Sequence, residues 1–261
     1  MSRPICSRLP VVVDLPLLLQ ALQAIAEEAW CGHFNTDYFA GDWSGVALIS
    51  AADALSELAP GRGLPLRRTP WLRDERWQRG LRELALDIVS ARLLRLGPGG
   101  RIHEHRDYDL EGPDADLRLH IPLLSPPAAD FWLEGQRVPM TAGECWFLDL
   151  ARAHRVDNFD TSARIHLVLD CRPGAWLAQK IVEGLNDTPA TQRPDSALQQ
   201  FQRWVADDAT LAATLQDMTD PELFIERTLE LAAEHGLPFS REELRAAMRQ
   251  GRRQWNEQWS G

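Results

Sequence analysis

Lysine is almost missing from this chain: Lys180 is the single one, so arginine carries nearly all of the positive charge on its 28 basic residues. A GC-rich coding sequence accounts for most of that bias, but arginine also suits forked recognition of carboxylates. Cysteine is scarce too. Cys6, Cys31, Cys145 and Cys171 include no C-x-x-C pair, which excludes a zinc knuckle of the usual spacing. Long apolar runs are absent. The stretch Leu9 to Leu19 is interrupted by Pro10, Asp14 and Pro16 and is too short to span a bilayer, and no secretory signal is apparent. Excess positive charge is lacking as well, since the formal net charge is -10, and that argues against a duplex nucleic-acid footprint. The expectation is a cytoplasmic protein with reduced thiols, no membrane and no nucleic-acid partner. Homo-oligomerisation is left open.

What is present fits one generous domain, or a domain with a small appendage, in 261 residues. Leu18, Leu19, Leu22, Ile25 and Ala26 make a helical stripe within Leu15 to Trp30. Trp77 to Leu86 also reads as a helix, and Ala59 to Thr69 as a loop rich in Pro, Gly and Arg. Strands are expected over Val46 to Ile49, Ala91 to Leu96, Leu117 to Leu124, Glu144 to Leu150 and Ala163 to Asp170. Phe131 to Leu133 and Gln136 to Met140 read as a hairpin about Glu134-Gly135. Many short strands separated by turn signals predict a mainly β antiparallel sandwich or barrel, with a jelly roll the natural form because its mouth can hold a metal between two sheets. After Pro173 the pattern turns helical, with a polar, proline-containing linker over Asp187 to Pro194. The predicted division is a jelly-roll domain with an N-terminal extension at 1-186 and a small all-α domain at 187-261.

The chemistry concentrates at His105-Arg106-Asp107, with His154 and then Arg164 downstream. Two residues apart on an extended strand point to one side, and a distant imidazole can complete a three-ligand face. His105, Asp107 and His154 are then a 2-His-1-carboxylate set with positions left open on Fe(II) for a co-substrate and O2. His103 and Asp109 compete as ligands, although only His105 with Asp107 gives the His-x-Asp spacing. Arg164 is read as the clamp on the far carboxylate of 2-oxoglutarate, with a structural salt bridge as the alternative. Arg118 and His120 share one strand face and could bind the second carboxylate of 2-oxoglutarate or a substrate carboxylate. Trp43 is a candidate wall of the substrate pocket or a core residue. Arg92 is a candidate substrate contact or a rim salt bridge.

At these residues the chain resembles the aspartyl/asparaginyl β-hydroxylase family of Fe(II)/2-oxoglutarate dioxygenases. The resemblance runs through Ala91 to Arg95, Pro98-Gly99, His105 to Tyr108, Arg118 to His120, Gly143 to Asp149, Ala153-His154 and Arg164 to Asp170. It is nearest to bacterial members that include proline cis-hydroxylases, which share the aromatic segment at Gly41-Asp42-Trp43. The likeness implies a double-stranded β-helix, iron ligands at His105, Asp107 and His154, and 2-oxoglutarate contacts at Arg164, Arg118 and His120. It also implies hydroxylation of an amino-acid side chain, in a peptide or a free amino acid. Animal peptidyl hydroxylases of this family lack the metal-binding carboxylate that Asp107 supplies here, and they carry Ser where this chain has Leu94. The C-terminal segment resembles Nif11-type domains at Phe201, Val205, Asp208, Leu211, Phe224, Leu231-Ala232, Gly236 and Phe239. A metal-binding cupin without oxygenase activity, acting as a partner in peptide modification, is the alternative reading.

Overall fold

The structure is a computed structural model that describes residues 4–59, 61, 63–186, 188, 197–216 and 218–258. The chain divides into two compact units, the first covering Met1–Asn158 and Ser162–Thr191 and the second Phe159–Thr161 and Gln192–Gly261. Elements of the first unit, in order, are β1 (Cys6–Arg8), α1 (Leu15–Gln23), β2 (Cys31–Gly32), β3 (Phe39–Ala40), β4 (Trp43–Ala51), β5 (Pro65–Arg67), α2 (Thr69–Arg73) and α3 (Arg76–Gly80). They continue with β6 (Ile88–Leu96), β7 (Arg101–His105), β8 (Leu117–Leu124), β9 (Ala129–Leu133), β10 (Gln136–Arg137), β11 (Trp146–Leu148), β12 (His154–Asn158), β13 (Arg164–Cys171) and α4 (Ala175–Gly184).

The strands form two antiparallel sheets. The larger runs β1-β11-β8-β13-β6-β4-β2, with β5 added against β4, and the smaller runs β10-β9-β12-β7-β3. This is the mainly β, jelly-roll arrangement expected. Period-2 alternation gives the large sheet two different faces. Leu119 and Ile121 of β8 and Ile165, Leu167 and Leu169 of β13 join Leu18, Leu22, Trp77, Leu177 and Ile181 in one core cluster, between the sheet and its covering helices. The residues between them, Arg118 and His120 on β8 and Arg164, His166 and Asp170 on β13, lie on the other face and are all buried. A second apolar cluster joins the sheets: Trp43, Leu96, Trp146 and Leu148 from the larger, Ile102, Phe131, Leu133 and Val156 from the smaller.

Local chemistry explains the boundaries. Asp14 caps α1 by accepting from Leu17 N–H at 3.1 Å, but the helix stops at Gln23, and Glu27–Ala29 is a separate 3-10 turn. α3 ends at Gly80 and not near Leu86, and Gly80 lies hard against Leu18; a Cβ at residue 80 would sit 2.5 Å from Leu18 Cδ2. The segment Ala59 to Thr69 is not all loop, since β5 lies within it. The hairpin turn is as expected: Glu134 and Gly135 both have positive φ, 49° and 71°, as a two-residue type I′ turn requires. Gly41 (φ 90°) lets the turn before β4 cross the one before β7, for a Cβ there would meet Gly100 Cα at 2.9 Å.

The second unit comprises α5 (Ala197–Asp207), α6 (Ala209–Gln216), α7 (Pro221–Glu234) and α8 (Arg241–Gln258). Asp208 breaks the first pair by capping α6, accepting from the N–H groups of Thr210 and Leu211 at 3.0 Å each. Asp220 caps α7, and Ser240 with Glu243 forms a reciprocal capping box for α8, the pairing that a Ser-x-x-Glu run encodes. Phe201, Leu215, Leu231 and Ala232 make its core. Among the described residues no helix is long and apolar enough to cross a membrane.

Asn158 ties down the end of the small sheet opposite the two key imidazoles. Its fully buried amide donates to the carbonyls of Leu96 and Gly97 at 3.0 Å and of Ser162 at 2.9 Å, tying the end of β12 to the turn between β6 and β7. Asn158→Leu should remove these three hydrogen bonds and lower stability by about 1–3 kcal/mol in equilibrium urea unfolding; an unchanged midpoint would show the tie to be dispensable.

Candidate metal centre and cavity

His105 is the last residue of β7 and His154 the first of β12, and the two face each other directly in the antiparallel register. Their rings stand 4.2 Å apart, centroid to centroid. A register shift follows immediately, between His154 and Val156, and irregularities of that kind re-aim side chains next to sites. Asp107 is not on the strand, as its spacing suggested. It lies just past the end of β7, where its N–H donates to Leu150 O at 2.9 Å and the chain enters a 3-10 turn over Tyr108–Leu110. The bend still swings the carboxylate onto the imidazoles: Asp107 Oδ1 is 3.7 Å from His105 Nε2, and Oδ2 is 3.8 Å from His154 Nε2.

One potential ligand atom from each of His105, Asp107 and His154 falls within 4.8 Å of the others, and this is the one such cluster found among the described residues. Neither His103 nor Asp109 belongs to it. Both imidazoles donate Nδ1–H to a backbone carbonyl two residues earlier, His105 to His103 at 2.7 Å and His154 to Arg152 at 2.9 Å. That fixes the tautomer and turns the bare Nε2 lone pair toward the carboxylate, which is how metal-binding histidines are oriented. Burial pushes the His154 imidazolium down to about 4, so the ring is neutral at neutral pH and its lone pair is available. Two imidazoles and one carboxylate on a single face, with no thiolate, suit a divalent metal such as Fe(II).

Behind the carboxylate stands a buried charge network. Arg118 Nη1 donates to Asp107 Oδ2 at 2.5 Å, and its Nε donates to Asp170 Oδ1 at 2.6 Å. Asp170 Oδ2 also accepts from Arg92 Nη2 at 2.5 Å, and Arg92 Nη1 donates to Leu58 O at 2.9 Å. Burial opposes charge on Asp170, yet the two guanidiniums hold its carboxyl below the usual range. Burial likewise opposes the charge on Arg118, and the carboxylates of Asp170 and Asp107 more than restore it. The sequence reading took Arg118 and Arg92 as candidate ligand contacts; the structure gives both a buried carboxylate partner as well. Asp170 was missed, although its place on the Arg164, His166, Val168 face of β13 was a usable signal.

Further along that face, Arg164 Nη2 donates to His166 Nδ1 at 3.0 Å, and the Nδ1 atoms of His166 and His120 are 3.3 Å apart. His120 Nε2 is buried with no hydrogen-bond partner. Burial, followed by the charges of Arg164 and Arg118, keeps the His120 ring neutral, its pKa well below the ordinary value.

Arg92, Arg118, His120 and Arg164 line a cavity of about 430 Å³ together with the three clustered side chains. Its lining combines these cationic and histidine groups with the aromatic side chains of Phe34, Tyr38 and Trp43 and with His33. Trp43 serves the core and the cavity together, being buried in the inter-sheet cluster while stacking on His33 at 3.5 Å. His33 was not singled out from the sequence; its position just before the aromatic stretch was the only signal. A larger hollow of about 790 Å³ lies beneath the acidic loop 109–116, but none of the three clustered residues lines it, and the chemistry points to the smaller one.

Residues 78–173 match the family model of the aspartyl/asparaginyl β-hydroxylases. An L-proline cis-4-hydroxylase of Rhizobium meliloti (strain 1021) is 25% identical over 190 residues, covering 71% of this chain; the match spans 59% of that relative's length. Among solved structures, a 2OG-Fe(II) oxygenase-family oxidoreductase from Burkholderia pseudomallei aligns with 61% of this chain and 78% of its own, at 14% identity and a TM-score of 0.41. A Pseudomonas putida prolyl-4-hydroxylase aligns with 65% of this chain and 92% of its own, at 15% identity and a TM-score of 0.38. The matched family segment contains all three clustered residues together with Arg118, His120 and Arg164.

The buried imidazoles give a pH dependence of known sign. Burial, aided by the Arg92 charge, lowers His33 to about 4, and His120 is also depressed. In the unfolded chain both titrate near the ordinary value of about 6.5, so the unfolded state binds more protons below that pH. Their contribution to stability is therefore present above about 6.5 and is lost as the pH falls toward about 4. The urea midpoint of the metal-free protein should drop between pH 7 and 5, and His33→Phe should shrink the drop; a midpoint independent of pH in that window would refute the neutral buried rings.

Proposed function

We propose that the chain is an Fe(II)- and 2-oxoglutarate-dependent dioxygenase that hydroxylates an amino-acid side chain, either a peptidyl Asp or Asn or a free amino acid such as proline. The observation that carries this is the single face formed by His105 Nε2, Asp107 and His154 Nε2 in a cavity that Arg92, Arg118 and Arg164 also line. The matched hydroxylase family segment and the proline hydroxylase relative support it.

In this reading His105, Asp107 and His154 hold the iron. Bound iron would supply oxygen activation coupled to oxidative decarboxylation of 2-oxoglutarate, so that substrate C–H, 2-oxoglutarate and O2 become C–OH, succinate and CO2. Arg164 binds the distal carboxylate of 2-oxoglutarate as a forked donor. Arg118 and His120 serve its other end, Arg118 also holding Asp107 in its ligating orientation. Trp43 and Arg92 face the substrate from the cavity lining. No side chain here need act as a general base, since hydrogen is taken from carbon by chemistry at the metal; the protein's task is to orient two organic molecules and exclude water. The second unit, read as 187-261, is proposed as a Nif11-like helical module appended to the oxygenase, and the cytoplasm as the working compartment.

The test is anaerobic addition of Fe(II) and 2-oxoglutarate to the metal-free protein. The visible charge-transfer band of a chelated complex should appear, and His105→Ala, Asp107→Ala and His154→Ala should each abolish it together with 2-oxoglutarate-dependent turnover. Metal binding with no band would instead favour a metal-binding cupin that is not an oxygenase.

A further inference from the structure

We infer that His166 is a positioning residue for Arg164: its neutral imidazole aims the guanidinium along the cavity and so sets the affinity for the dicarboxylate co-substrate. The inference rests on the reading of Arg164 given above. The geometry begins with the strands. Arg164 and His166 are two apart on β13 and share a face, opposite Leu96 and Leu94 of β6. On the other side, the pairing of β13 with β8 slips between Ile165, opposite Leu124, and His166, opposite Pro122. That irregularity falls between the two residues and brings His166 over toward His120, whose own partner is Val168. Both rings are buried, as is Arg164.

The chemistry then leaves one arrangement for the shared atom. A guanidinium is always protonated and can only donate, so His166 must offer a bare Nδ1 to Arg164 Nη2 at 3.0 Å and carry its own proton on Nε2. His166 is thus an acceptor that uses one N–H of the fork and fixes the plane of the others. An arginine side chain has about 2 kcal/mol of rotamer entropy to lose on being ordered, and a partner that orders it beforehand removes that cost from ligand binding. Phe131 limits the same guanidinium from another side, at 5.8 Å from its ring centroid. No clustered metal-binding residue is involved, so the effect should fall on the co-substrate and leave the metal alone.

Two substitutions separate aiming from mere filling of space. Asn at 166 places an amide oxygen where Nδ1 lies, whereas Leu fills the space without an acceptor. The Fe(II)-loaded protein is titrated anaerobically with 2-oxoglutarate, the charge-transfer band giving the dissociation constant, and Fe(II) affinity is measured separately. His166→Leu should weaken 2-oxoglutarate binding at least tenfold with Fe(II) affinity unchanged, and His166→Asn should recover most of the loss. Arg164→Met is the control for the underlying reading. If Arg164→Met weakens binding but His166→Leu does not, the positioning role falls and the arginine's role stands. If Leu and Asn weaken it equally, or if Fe(II) affinity falls in step, His166 is a packing residue and the inference is wrong. If Arg164→Met itself has no effect, the reading of Arg164 fails and takes the inference with it.

Discussion

Asp107 is aimed by an arginine that is itself anchored to a buried carboxylate, and the geometry of the site hangs on that linkage. Arg118 spans from Asp107 to Asp170, and Asp170 is shared with Arg92. Arg92, Arg118 and Asp170 are buried together, and removal of Asp170 would take a carboxylate partner from both desolvated guanidiniums, at a cost of about 3–5 kcal/mol. The set also solves a local problem. Asp107 stands outside regular structure, on the turn after β7, where no strand geometry fixes its side chain. A flexible carboxylate would be a poor third ligand. Tethered to a sheet residue through Arg118, it inherits the rigidity of β8 and β13.

The same sheet supplies that rigidity by having two unlike faces. One carries Leu119, Ile121, Leu167 and Leu169 into the core beneath the covering helices, and the alternate positions carry Arg118, His120, Arg164, His166 and Asp170 on the opposite face, Arg118, His120 and Arg164 lining the cavity. A one-residue slip between β8 and β13 would send the charged set into the apolar layer. The apolar layer therefore holds the polar layer in register, and the two cannot be altered independently. The pairing tolerates local irregularity where it re-aims a functional group: after His154 on β12, and between Arg164 and His166 on β13.

Much of this was legible in the chain. The alternation of Leu117 to Leu124 and of Ala163 to Asp170 gave both strands and assigned their faces correctly, because period-2 patterning is local. Glu134-Gly135 gave the hairpin and Ser240 to Glu243 the capping box for the same reason. His105, Asp107 and His154 could be grouped through their spacing and the family likeness, although the direct pairing of His105 with His154 is a long-range fact. The strand placement of Asp107 was wrong: strand geometry was extrapolated two residues beyond the last ladder bond. α3 was read too long: the helix stops at Gly80, and the chain beyond it to Leu86 is turn and irregular backbone.

What could not be read is of one kind. Asp170 and His33 acquire their surroundings from groups far away in sequence, Asp170 from Arg92 and Arg118, and His33 from the field of Arg92 as well as from burial, while His166 meets both its neighbour Arg164 and the distant His120. Pair geometry between strands is set by register, and register is a property of the whole sheet. Asp170 and His166 are nevertheless polar at positions where the whole strand is buried. A buried polar group must find a partner, so an inward-facing polar residue on a predicted core strand, even with no motif around it, signals a neighbour still to be identified. Applied to β13, that rule picks out Arg164, His166 and Asp170 together, and the structure shows all three engaged in the network that surrounds the cavity.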